Sequence, residues 1–217
     1  MVAAAIELDN LQRRYGERVA LAGVSARVEE GQTLAILGGN GAGKTTLLRV
    51  LAGLLRPHGG TARVLGATLP AERWKLPALV GYLGHEPLLY RDLSGRENLR
   101  YHADLHGVPR GRVEELLGAV GMAARAGDPV RELSKGLVQR LAAARAVLHE
   151  PALLLLDEPR ANLDPVAAEL LEPLIGRASG RTRVLVSHDV DGALAEADQS
   201  IGLRNGRPAA VGRELYR

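Results

Sequence analysis

Gly38-Gly39-Asn40-Gly41-Ala42-Gly43-Lys44-Thr45 is the stretch whose reading decides the fold. The spacing is G-x-x-x-x-G-K-T. Glycines let backbone N–H groups curl toward phosphate oxygens with no Cβ in the way, a lysine reaches the outer phosphates, and a hydroxyl is placed to ligate Mg²⁺. A glycine-rich turn with a chance lysine would also fit the letters, so the flanks decide. Before the loop, Thr33-Leu34-Ala35-Ile36-Leu37 reads as a short buried strand; after it, Thr46-Leu47-Leu48-Arg49-Val50-Leu51-Ala52 reads as an apolar helix. Strand, loop, helix is the order the motif requires. The positive end of that helix adds to the anion site.

Outward from the loop, 217 residues with 46% hydrophobic content are enough to bury a substantial core as one large domain or a domain with an inserted lobe. There are no cysteines, which removes disulfides and thiol chemistry and is compatible with a reducing cytoplasm. The first residues lack the basic flank and apolar core of a signal peptide, and no apolar run approaches the roughly 18 residues of a spanning helix, so the chain is expected to be soluble by itself. The net charge is +3, and all basic residues except Lys44, Lys75 and Lys135 are arginines. Acidic residues nearly cancel them and aromatics are only 3%, leaving little for base stacking; a mixed solvated surface is expected, with no specific nucleic-acid partner.

No fixed-period repeat or low-complexity segment appears. The opening third is β-rich, with strands predicted at 4–8, 24–28 and 33–37, a further one at 19–21, and Gly16, Gly23 and Gly31 as separators. From Pro87 to Leu133 the character turns helical: Ser94 and Glu97 form a capping box, a helix runs to about His106, and Gly107 and Pro109 stop it. A second helix is predicted over 110–120. Alternation then resumes, with helix 136–149, strand 152–156, helix 165–177, strand 183–187 and helix 190–197. Leu153-Leu154-Leu155-Leu156 is apolar at every position, as for a strand covered on both faces. The pattern predicts a doubly wound, parallel α/β sheet, whose ligands sit at the carboxyl ends of strands. Three polar clusters fall there: the loop at 38–45, Asp157-Glu158, and Ser187-His188-Asp189.

Asp157 stands where an aspartate can hold Mg²⁺ together with Thr45, and Glu158 where a carboxylate can polarise water attacking a γ-phosphate. Taken alone, Asp-Glu-Pro would be a turn cap. Ser134, taken alone, would be an ordinary N-cap of the helix that begins Lys135-Gly136.

With these pieces in order, the chain resembles the ATP-binding-cassette ATPases, whose Leu-Ser-Gly-Gly-Gln signature opens a helix shortly before an Asp-Glu pair; here Ser134 precedes Asp157 by 23 residues. The similarity runs from about Ile6 to about Gly206. It implies an α/β P-loop NTPase fold with a mostly parallel sheet, an N-terminal antiparallel β portion and an inserted helical lobe, organised as one nucleotide-binding domain with core 1–86 and 134–217 and lobe 87–133. It further implies ATP and Mg²⁺ as ligands, with ATP contacts at the loop Gly38, Gly39, Asn40, Gly41, Ala42, Gly43, Lys44, Thr45 and at Thr46. Tyr15 matches the aromatic that stacks on adenine. Asp164 matches the carboxylate through which paired cassettes communicate, and His188 the switch histidine at the γ-phosphate. Lys44, Glu158 and His188 are then the catalytic set.

Two positions depart from the family pattern. His85 stands where a glutamine is usual, and an imidazole is a poorer Mg²⁺ ligand than an amide oxygen. Lys135 and Leu137 replace a signature glycine and glutamine, leaving Ser134 and Gly136 to meet phosphate. The resemblance implies a head-to-tail homodimer with ATP between the loop of one copy and Ser134-Gly136 of the other, docked by its lobe on separate membrane-spanning permease subunits at the inner face of the cell membrane. The compact length, Lys135 and Leu83-Gly84-His85 are similar to the ATP-binding subunit of the haem exporter of cytochrome c maturation, with general drug, lipid or polysaccharide export as the alternative. A soluble repair- or translation-type cassette ATPase, or a regulatory nucleotide binder without turnover, would belong to other classes. The former carry a coiled-coil insertion or a second cassette, and this chain has neither.

Overall fold

In the computed structural model, which describes residues 4–211, two sheets and six helices share one layered body. The chain opens with a long hairpin, β1 (Ala4–Tyr15) and β2 (Arg18–Glu29), and then enters β3 (Thr33–Leu37), the phosphate loop and α1 (Lys44–Leu51). Next come β4 (Gly59–Val64), β5 (Ala67–Leu69) and β6 (Val80–Leu83). The helical stretch holds α2 (Gly95–His106) and α3 (Gly111–Ala119), followed by two 3-10 turns. The remainder is α4 (Lys135–Val147), β7 (Leu153–Asp157), α5 (Pro165–Ile175), β8 (Thr182–Val186), α6 (Val190–Glu196), β9 (Gln199–Arg204) and β10 (Arg207–Ala209).

The larger sheet has strand order β10-β9-β3-β8-β7-β6, parallel throughout except for β10 on β9; the smaller, β2-β1-β4-β5, is antiparallel. The four-leucine run shows why the larger sheet is stable. Leu153 and Leu155 join a core with Ile6, Leu34, Ile36 and Leu47, under α1 and the smaller sheet. Leu154 and Leu156 point the other way, into a core with Leu37, Leu83, Leu99 and Leu141, under α4 and the helical stretch. A strand buried on both faces favours apolar side chains along its length, and in β7 the one polar position is the end, where Asp157 sits.

The predicted strands at 19–21 and 24–28 are one strand, β2. Gly23 does not separate them: its φ of 87° lies where the register slips between Leu11, paired with Val24, and Gln12, paired with Ala22, so it marks a bulge. Five strands, β4, β5, β6, β9 and β10, are absent from the sequence expectations. β4 offers only Ala62 and Val64 to the core, and β6 is four residues long and contains Gly81. That glycine is required by packing, because a Cβ there would lie 2.3 Å from the Ala146 carbonyl oxygen of α4. Helix α2 starts and stops as predicted: Ser94 and Glu97 form the reciprocal capping box, and Gly107 closes the helix at φ 66°.

Candidate nucleotide site

Three strand ends build one cleft. β3 delivers the glycine loop, β7 delivers Asp157 and Glu158, and β8 delivers His188 through Ser187. A cleft of about 340 Å³ is lined by Tyr15, Arg18 and Ala20 from the hairpin, by 40–46 of the loop and α1, and by His85, Asp157, Glu158 and His188. The loop turns on left-handed glycines, with φ 149° at Gly38, 74° at Gly41 and 110° at Gly43. Gly43 is the N-cap of α1, and a Cβ on it would meet the Ala20 carbonyl oxygen at 2.5 Å. Bare backbone is therefore needed both to make the turn and to seat it on β2.

Lys44 is buried, and its Nζ donates to the carbonyls of Gly38 at 2.6 Å and Gly39 at 3.0 Å, which arches the loop over its own lysine. Burial lowers the Lys44 ammonium from its ordinary value, with Glu158 and Asp157 pulling the other way. Thr45 Oγ1 donates to Asp157 Oδ2 at 2.8 Å, joining the two predicted metal ligands across more than a hundred residues of sequence. These hard oxygens suit Mg²⁺, which takes few protein ligands and completes its shell from phosphate and water. Among the described residues no group of three or more His, Asp or Glu could hold a metal without such help.

Glu158 has a left-handed backbone, φ 52°, an uncommon state for a non-glycine residue and one that concentrates at functional positions. Its Oε2 accepts from the His188 backbone N–H at 3.1 Å, and its Oε1 is buried with no hydrogen-bond partner. The His188 ring Nε2 stands 3.6 Å from Oε1, too far for a hydrogen bond. Burial pushes the Glu158 carboxyl up, and neighbouring Asp157 adds to the effect against the opposing His188 contacts and Lys44. The result is a basic oxygen, held from one side and free on the other.

Tyr15 is 43% exposed, with the Arg13 guanidinium over its ring at 4.8 Å. His85 is exposed at the cleft edge. Ser134, Gly136 and Asp164 do not line the cleft. Ser134 caps α4, accepting from Leu137 N–H at 3.3 Å; Asp164 caps α5, accepting from Ala167 N–H at 2.8 Å; and Gly136 packs where a Cβ would meet the Asn162 carbonyl oxygen at 2.9 Å. The signature helix reaches the site through Gln139, whose amide donates to the carbonyls of Glu158 and Pro159 at 3.3 and 3.1 Å. Gln139 and Arg18 are not among the site residues expected from sequence. Arg18 was findable, since it pairs with Tyr15 across the hairpin turn.

The family described as ABC transporter matches residues 21–161. The chain is 36% identical over 214 residues, 96% of its length, to a Nod factor export ATP-binding protein I of Ralstonia nicotianae, covering 67% of that protein. It is 39% identical over 204 residues, 92% of its length, to the daunorubicin resistance ATP-binding protein DrrA3 of Streptomyces coeruleorubidus, covering 64% of it. It thus spans about two thirds of these relatives. A dimeric ATP-binding cassette solved in a post-hydrolysis state with ADP and Pi superposes with a TM-score of 0.84 and 26% identity, over 94% of this chain and 97% of that one. Family match, relatives and fold agree with the site, and the chain belongs to the ABC transporter family as an ATP-binding, ATP-hydrolysing domain.

Proposed function

We propose that the chain is the energising subunit of an exporter, hydrolysing ATP in the cleft between β3, β7 and β8. The observation that carries the catalytic assignment is the Glu158 carboxylate: Oε2 pinned by the His188 amide, Oε1 buried and unpartnered, in the cleft that holds Lys44 and Thr45. That free oxygen accepts a proton from the attacking water, and its raised basicity favours the transfer. The loop N–H groups and Lys44 hold the phosphates, and Lys44 with His188 offsets charge as it develops on them. When bound, Mg²⁺ neutralises phosphate charge, and Thr45 and Asp157 would hold it. Tyr15 supports adenine, and His85 contacts the nucleotide or its water from the rim.

Ser134, Gly136 and Asp164 belong to this chemistry through a second copy. They lie outside the cleft of their own chain, which supports a head-to-tail homodimer closed by ATP. The core comprises 1–86 and 134–217, and the lobe 87–133. No helix among the described residues is long and apolar enough to cross a membrane. Separate permease subunits would supply the spanning part and hold the dimer at the inner face of the membrane. Exposed Leu54 and Leu88, beside Arg49 and Glu86 in a groove between core and lobe, offer an amphipathic place for them.

The export direction follows the Nod factor export relative. The narrower haem-export reading draws no support from the named relatives, and the cargo is a compound moved outward. Glu158→Gln tests the reading: ATP binding is retained, turnover is nearly abolished and an ATP-bound dimer accumulates on size exclusion. Unchanged hydrolysis would refute it. The membrane proteins that co-purify decide the cargo class, and a nucleic-acid enzyme in their place would overturn the transport assignment.

A further inference from the structure

One charged side chain in the larger sheet is unexplained by nucleotide chemistry. Arg183 lies in β8, in register between Thr33 of β3 and Leu154 of β7, with its side chain 2% exposed. Its Nε donates to Thr33 Oγ1 at 3.1 Å, and Nη1 donates to the Ile175 carbonyl at 3.2 Å and to Glu196 Oε2 at 2.9 Å. A buried pair of this kind is costly to assemble and gains little for stability over apolar packing. Glu196, at the end of α6, uses its other oxygen: Oε1 takes Arg160 Nη1 at 2.5 Å, while Arg160 Nη2 donates to Glu172 Oε2 of α5 at 2.8 Å.

Arg160 thus sits at the outer end of a chain of charges rooted in the sheet. It is also the middle of the loop that joins Glu158 to Asp164. Two residues of that loop, Glu158 at φ 52° and Asn162 at φ 62°, have left-handed backbones, and such strain persists only where surrounding contacts over-determine it. Apolar packing under the loop is incomplete, because a cavity of about 220 Å³ is lined by Pro159 and Arg160 together with Leu171, Ile175 and Leu185. On one side, Gln139 holds the carbonyls of Glu158 and Pro159. On the other, Glu158 itself is held to β8 by its N–H on the Val186 carbonyl at 2.9 Å and by the His188 N–H on its Oε2, and past Glu158 the fixing side-chain contacts are the two ion pairs of Arg160.

We infer that Arg160 is a positioning residue for hydrolysis: through Glu196 on Arg183 and through Glu172, it anchors the 158–164 loop so that the Glu158 carboxylate and the Asp164 end keep their places relative to the end of β8. The inference rests on the assignment of Glu158 to the water. The Arg160 side chain is 49% exposed and Glu172 37%, and the more buried Glu196, at 16%, keeps Arg183 when Arg160 is removed, so the cost to folding stability is small. Its removal therefore acts on geometry rather than on the fold.

The test is steady-state ATP hydrolysis by the full chain with Arg160→Ala, Arg160→Lys and Glu158→Gln, alongside thermal melts. Arg160→Ala lowers kcat by about tenfold or more, since small misplacements near a reacting centre are costly, and leaves KM for ATP within about twofold. Its melting temperature stays close to that of the unmodified protein. Arg160→Lys, which keeps one charged contact and loses the fork, recovers part of kcat. Glu196→Gln supplies the coupling check: where it folds, adding Arg160→Ala to it costs less than Arg160→Ala alone. Where it does not fold, the kcat and KM of the Arg160 variants decide. Wild-type kcat in Arg160→Ala, a rise in KM matching the whole loss, or strictly additive losses with Glu196→Gln would each overturn the inference. Persistent hydrolysis in Glu158→Gln would instead overturn the assignment on which it rests.

Discussion

Replacing Gly43 with alanine separates two reasons for a glycine at the start of α1, the backbone angle and the space. At φ 110° an alanine pays for the left-handed region, about 1–2 kcal/mol. The added Cβ would also lie 2.5 Å from the Ala20 carbonyl oxygen and 3.1 Å from Leu21 Cδ2. The first contact is with backbone near the start of β2, so relief means moving a strand or lifting the loop, a further cost of about 1–3 kcal/mol, as for other overpacked sites. The sum, about 2–5 kcal/mol, corresponds to a drop in Tm of about 2–4 °C per kcal/mol for a chain of this size. Gly66 supplies the control, because its φ is 78° and a Cβ there meets nothing within 4 Å. Gly66→Ala should therefore show only the angular part, about 1–2 kcal/mol, and bind ATP normally. Gly43→Ala should lose more stability and also lose ATP affinity, since lifting the loop moves the Lys44 and Thr45 amides. The assay is a thermal melt with and without ATP, plus direct titration of a fluorescent ATP analogue. Equal Tm losses in the two variants, or unchanged nucleotide affinity in Gly43→Ala, would refute the packing argument.

Two further outcomes concern pH. His102 of α2 and His149 after α4 are pushed down to about 4, chiefly by burial, with Arg145 and His106 adding like charge. The folded protein keeps both rings neutral while the unfolded chain protonates near 6.5, so stability is fully present above that value and is lost as pH falls toward 4. Discounted for the partial exposure of the rings, the loss by pH 5 is about 1 kcal/mol per ring. Urea unfolding at pH 7.5 and 5 reads it, and His149→Gln should flatten the dependence; an equally steep profile in that variant would refute the assignment. The second outcome is kinetic. Because burial raises Glu158, the acid limb of kcat should lie above the ordinary carboxylate range. His188→Ala, which removes a ring that lowers this carboxyl, should move the limb further up on top of any loss in rate. A limb at the ordinary carboxylate position, or one that moves down in His188→Ala, would count against Glu158 as the base.

The readable part of the fold was the part buried on both faces. Leu153 to Leu156, Thr33 to Leu37 and the capped helix after Ser94 announce themselves because burial or capping constrains every residue in them. The unread strands lie where only alternate residues meet the core, as in β4, or where a glycine needed for a close helix approach breaks the apolar run, as at Gly81 in β6. In such strands hydrogen bonding to a neighbour fixes the structure, and the neighbour is not visible in a local window. Gly23 misled for a related reason, since a bulge and a turn ask for the same residue.

The site divides along the same line. The glycine loop and the Asp-Glu pair are legible because each is contiguous and chemically constrained; what joins them is not. Thr45 to Asp157, Gln139 to the Glu158 carbonyl and His188 N–H to the Glu158 carboxylate are all contacts between segments distant in sequence, two of them through backbone groups that carry no letter. Arg183 is the sharpest case. In sequence it looks like a charge at the mouth of an apolar strand, and only the ends of α5 and α6 reveal that Ile175 and Glu196 receive it. A polar residue at a position the pattern reserves for an apolar one is therefore informative in its own right: the burial cost has to be offset by partners, and following those partners from Arg183 to Glu196 to Arg160 leads back to the loop that carries Glu158.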